Sequence, residues 1–267
     1  MATGVKPPII DTTVVAWRDA FAALSAMPVA CGITFVILLV LSLLGILIMP
    51  DPTAGALSST HHIVGFISSV IQAFVVAPLA IAVHRYVLLG ERAGGYALDL
   101  SSPRYMRFVG FAVLINVLLS VPAVVISLLP TDPENIGQGA VGGIVALVLF
   151  IIIAIVAVRR AILFPAVAVD AAGATWKNAR DDTKGNSWRV LFIMICTSLP
   201  VIAISVPLYW VLIKQPAATL GNKIVFAVLT TVIQIPTICA FAAAASHVFR
   251  TLADNLARPA GGAGPAA

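Results

Sequence analysis

Six long apolar runs decide what this chain can become. They fall at about residues 29–49, 63–87, 108–129, 140–158, 190–213 and 224–248, and none holds Asp, Glu, Lys or Arg before its last few residues. An α-helix needs roughly 20 consecutive apolar residues to cross the hydrocarbon core of a bilayer. Strands of a membrane barrel would be about ten residues long with an alternating pattern. These runs are continuous and rich in Leu, Ile, Val and Ala, so they predict helices. The sequence is 60% hydrophobic and only 10% charged, against roughly 25% charged in soluble domains. The expected fold is therefore an all-α integral membrane protein: one six-span helix bundle over residues 1–258, with a disordered small-residue tail, PAGGAGPAA, at 259–267. The first run is longer than the roughly 7–15 residues of a signal-peptide core, so the first helix is expected to stay in the mature protein.

The connecting segments differ sharply in charge. Residues 1–28, 88–107, 159–189 and 249–267, with the basic ends of spans two and six, hold 14 of the 16 Lys and Arg; the other segments hold only Lys214 and Lys223. By the positive-inside rule, both termini are expected in the cytoplasm of a bacterial inner membrane. The net charge of +5 then follows from topology, and nucleic acid is not an expected partner. The opposite loops are short and carry turn residues, as in Pro50-Asp51-Pro52 and Pro130-Thr131-Asp132-Pro133.

Before span one, Asp11-Thr12-Thr13 offers an N-cap, and Val14, Trp17, Phe21 and Leu24 recur on one helical face. This predicts an amphipathic helix at 12–26 lying in the membrane interface on that face. A second interfacial helix is expected at about 171–184. Weak repetition links the two ends of the chain: AWRDAF (16–21) resembles TWKNAR (175–180), SSVIQ (68–72) resembles TTVIQ (230–234), and HRY (84–86) resembles HVFR (247–250), at offsets of 159, 162 and 163. SPRYMRF before span three stands much as NSWRVLF does before span five. The pattern suggests three helical hairpins, each opening on a basic-aromatic segment.

Candidate chemistry is sparse. Gln72 and Gln234 sit at matching depths in spans two and six, where an amide needs a partner; they either bond each other across the helices or line a polar path. Pro78, Pro122, Pro200, Pro207 and Pro236 interrupt spans. Gly139 and Gly143 form a GxxxG packing signal. No carboxylate or base lies deep in a span, which weighs against ion-coupled transport. His61-His62 has no neighbouring acid or Cys to complete a metal site, and His84 and His247 read as capping or snorkelling residues at span ends. Cys31, Cys196 and Cys239 are widely spaced and read as packing residues. GERAGG (90–95) lacks the ending of a phosphate-binding loop, and no GxSxG, HExxH or paired-carboxylate motif is present. No catalytic residue, cofactor or metal is expected.

The segment 159–192 is the most distinctive. Arg160, Pro165, Asp170, Trp176, Thr183, Lys184, Gly185, Trp188 and Arg189 follow a pattern that resembles the membrane domain attached to some bacterial glycerophosphodiester phosphodiesterases, and its stand-alone relatives. The match covers about 35 residues. It implies a membrane architecture and an envelope or lipid association. It does not imply catalysis, because in that family the activity belongs to a separate soluble domain for which the six spans leave no room. Within the segment, Gly185-Asn186 is expected to stop a helix, and Asp170 to pair with Arg159 or Arg160.

These readings converge on a non-enzymatic, lipid-associated scaffold or lipid-binding protein. Its expected working surface is a belt that would meet anionic headgroups: Arg85, Arg104, Arg107, Arg159, Arg160, Lys184, Trp188, Arg189 and Arg250. A membrane-protein partner or a second copy of the chain would also fit. The alternative is a channel or uncoupled small-molecule carrier built on the proline-broken spans and on Gln72 and Gln234.

Overall fold

The computed structural model describes residues 6–48, 59–128, 136–212 and 219–257. Among them the chain is all helical: α1 (Ile9–Ala26), α2 (Pro28–Ile48), α3 (Ser59–Leu89), α4 (Pro103–Leu128), α5 (Ile136–Arg160), α6 (Leu163–Ala168), α7 (Trp176–Asp182), α8 (Ser187–Leu212) and α9 (Leu220–Leu252). Helices α2, α3, α4, α5, α8 and α9 are long and apolar enough to cross a membrane, so the chain is a multi-pass membrane protein with the six expected spans. The expected tail at 259–267 lies outside the described residues.

The basic-aromatic segments before spans three and five are continuous with those spans, whereas AWRDAF and TWKNAR lie on the separate helices α1 and α7. α4 starts at Pro103, five residues before the apolar run, because proline suits a first helical position and nothing up to Phe108 breaks the helix. Helices adjacent in the chain pack as pairs: α2 on α3, α4 on α5, α8 on α9. α3 also meets α4, α5 meets α8, and α9 touches α1, α2, α3, α6 and α8, which makes it the central element.

α1 is a helix, as its periodicity demands, and it packs on the bundle through its small residues. Thr12, Ala16, Ala20 and Ala23 are buried as it packs on α8 and α9. Ile10, Val14 and Phe21 are its exposed large apolar residues, while Trp17 and Leu24 are partly covered. The reason is that bulky apolar groups lose nothing by facing hydrocarbon, while small ones let two helix backbones approach closely. His247 Nε2 bonds Asp19 Oδ2 at 2.8 Å and pins α1 to α9. The expected cap at Asp11-Thr12-Thr13 is displaced: the helix begins at Ile9 after Pro8, with no side-chain cap.

α5 stops at Arg160, and Pro165 falls in the first turn of α6, where its missing N–H costs nothing. The chain then reverses through Asp170, the one non-glycine residue with positive φ (53°) among those described, a conformation that Asp tolerates better than most residues. α7 is shorter than the expected 171–184. Thr175 caps it by accepting from Asn178 N, and Gly185, at φ 83°, supplies the left-handed turn that leads into α8.

Two further devices hold this end together. Pro78 has no N–H for the carbonyl of Phe74, four residues back, and Tyr105 of α4 donates its hydroxyl to that oxygen at 2.8 Å. Asp182 accepts from the backbone N–H groups of Asp254, Asn255 and Leu256 and from the Asn255 amide, which docks the turn after α9. Gly173 lies beneath that turn, where a Cβ would come within 2.2 Å of the Asn255 oxygen. The GxxxG signal is not a close contact at Gly143, where an added Cβ would meet nothing within 4 Å.

Candidate functional site

The basic end of the bundle carries most of the belt, and the structure divides that belt in two. One group is turned inward to bond the protein itself. Asp170 takes a bidentate bond from Arg104 and a longer approach, 3.8 Å, from Arg85, rather than pairing with Arg159 or Arg160. The reversal after α6 points Asp170 at the start of α4, not back along α5. Arg85 also bonds Glu91 and the Ala168 carbonyl. Arg159 donates to Ser187 Oγ at 2.8 Å. Arg160, nearly buried, donates to the Trp176 carbonyl and lies 4.3 Å over its ring. Arg250 bonds the Val87 carbonyl of α3, and Arg189 makes a long contact, 3.5 Å, to Pro7 O.

The second group faces outward. Arg107, Lys184 and Trp188 are exposed, and no described residue bonds the side chains of Arg107 or Lys184. Arg107 joins Arg104 and Asp170 around a small polar hollow of about 210 Å³. In the loop before α4, Ser101 donates its hydroxyl and N–H to Asp99 and holds that carboxyl below the usual carboxylate range.

Between α3, α4, α6, α8 and α9 lies a larger cavity of about 440 Å³, within the size range of small-molecule sites. Its wall is built from helical spacing. Val76, Ala80 and His84 recur every four residues on α3, and Gln234, Ile238, Phe241 and Ala245 follow one face of α9. Phe108, Met194 and Phe164 close it from α4, α8 and α6. Alanines at 80, 161, 242 and 245 make the room. From Gln234 to Ala245 the wall runs about 16 Å along α9. Lys, Arg, Asp and Glu are absent from the lining.

His84 is the notable residue here, and the sequence reading missed it. It does not snorkel: it is 2% exposed, its ring is 5.9 Å from that of Phe108, and its Nδ1 is 2.8 Å from Ser246 Oγ. The signal was present in the repeat, since His84 and Ser246 are 162 residues apart, the same offset that relates SSVIQ to TTVIQ. Gln234 lines the cavity, but Gln72 is not among its lining residues, and no hydrogen bond joins the two amides. Cys31 and Cys239 are both free and buried, on the packed helices α2 and α9. His61 and His62 lie outside the residues whose side chains are described. Among the described residues no cluster of His, Cys, Asp and Glu could hold a metal.

No family model, curated protein or solved structure matches the chain, so the likeness of segment 159–192 to a membrane domain rests on its own residues.

Proposed function

We propose that this is a non-catalytic lipid-binding protein of the bacterial inner membrane, with both termini in the cytoplasm, that holds an apolar chain inside its bundle. The observation that carries this is the uncharged cavity between α3, α4, α6, α8 and α9. An apolar space that opens to a bilayer has hydrocarbon chains as its most abundant ligand. The outward residues Arg107, Lys184 and Trp188 suit contact with anionic headgroups around the bundle. The arginines of the inward group serve the fold. This reading agrees with the lipid association that segment 159–192 implies.

The channel or carrier reading needs a wet path past Gln72 and Gln234. The lining is apolar, and α6 fills the basic end with Ile162, Leu163, Ala166 and Ala168, each 0–1% exposed. Both features favour bound lipid over flux. The test is photolabelling in native-like bilayers with a lipid bearing a diazirine along its acyl chain. Peptides containing Met194 and Phe241 should be labelled in excess of the lipid-facing far half of α8. Labelling confined to the outer faces of the helices would defeat the proposal.

A further inference from the structure

We infer that the cavity selects a neutral amphiphile whose head is a hydrogen-bond donor, such as the hydroxyl of a long-chain alcohol, with that hydroxyl on His84 Nε2. This rests on the reading of the cavity as a lipid site and names the chemistry of its ligand. Three observations carry it. First, Ser246 Oγ donates its only proton to the Ala242 carbonyl at 2.9 Å, the usual back-bond of a helical serine. Toward His84 it then offers a lone pair, so Nδ1 carries the ring proton. Nε2 is left as a bare acceptor in a ring that lines the cavity, and no described side chain bonds it. A ligand hydroxyl that enters the cavity supplies the donor this acceptor can take.

Second, no cation lines the cavity. Arg85, Arg104 and Arg160 are engaged with Glu91, Asp170 and Trp176, so a phosphate or carboxylate brought here would have no counter-charge. Third, the polarity is oriented. His84 lies at the basic end, next to Arg85. The wall beyond it, through Ile238, Phe241 and Val76, is apolar up to Thr237, whose hydroxyl bonds its own helix, and Gln234 at the far limit. A single-chain lipid seated head to His84 would keep its chain pointing toward the middle of the bundle, as in the surrounding leaflet.

The experiment is equilibrium binding of a tritiated long-chain primary alcohol to the delipidated full-length protein in detergent. The competitors are the unlabelled alcohol, its methyl ether and the alkyl phosphate of the same chain. The ether can accept but not donate. The alcohol should compete about tenfold better than the ether, the worth of one buried hydrogen bond, and the phosphate should be weaker still. His84→Phe should level alcohol and ether while leaving the ether's affinity in place. Equal competition by alcohol and ether in the unaltered protein, or a phosphate that outcompetes both, would overturn the inference while the lipid cavity stands. Absence of saturable binding by any of the three would overturn both.

Discussion

The two ends of the bundle are built on different rules. At the basic end the helices are locked to each other. Most of the largest fully buried side chains, among them Met27, Leu79, Val83, Ile162, Leu163, Val190, Val248 and Leu256, lie there, while Thr34 and Leu38 sit deeper in α2; the polar ties of Arg85, Arg104, Asp170, Asp182, His84 and His247 lie there too. At the far end the helices present their apolar side chains outward: Val141, Ile144 and Leu147 on α5, Ile204 and Val211 on α8, Leu220 and Val225 on α9. In a bilayer such side chains need no protein partner, because lipid is as apolar as leucine. Specific structure is therefore concentrated where backbone and charge must be satisfied, and the cavity opens inside that ordered half.

That contrast can be broken by substitutions graded along it. The largest effect is expected from Asp182→Ala, which removes one carboxylate from three backbone N–H groups and an amide. It should destabilise by about 3 kcal/mol and abolish hydrogen-exchange protection at 254–256. Gly173→Ala should follow at about 1–3 kcal/mol, since its Cβ would collide with backbone at Asn255 and Leu256; the same exchange readout should show the turn lifted. Arg104 and Asp170 are partly exposed, with side chains 34% and 54% accessible, so a double-mutant cycle on them should return only about 0.2–1 kcal/mol, lowered by salt. Val211→Ala at the far end, on a residue 65% exposed, should shift thermal unfolding in detergent by no more than about 0.5 kcal/mol. A far-end substitution as damaging as Asp182→Ala would erase the distinction between the two ends.

The spans were readable in the sequence because hydrocarbon imposes one rule, length without charge, that needs no knowledge of neighbours. The helix stop at Gly185 was readable for a similar reason: it is local chemistry. The large apolar face of α1 was readable from its period, but the alanines opposite it, Ala16, Ala20 and Ala23, gave no sign that they would pack on α8 and α9. The partners of Asp170 were hidden because Arg104 lies 66 residues away and Arg159 is nearer in the chain. The belt was legible as a set of basic residues at one end, but not which of them the fold consumes. The cavity could not be read at all from residues one at a time. It depends on alanines of three segments leaving room opposite each other, and only the His84–Ser246 offset hinted that α3 and α9 meet there.

The central claim is that this space holds a lipid chain. Native mass spectrometry of the protein released from gently extracted membranes tests it most directly, with Ala245→Leu to fill the cavity and Val211→Leu as the far-end control. Ala245 lines the cavity and is 5% exposed, so the larger side chain has nowhere to go but the open space. The account predicts a retained lipid-sized adduct on the unaltered protein and on Val211→Leu, and its loss from a folded Ala245→Leu protein. An adduct that persists unchanged when the cavity is filled, or a bare unaltered protein, would contradict it.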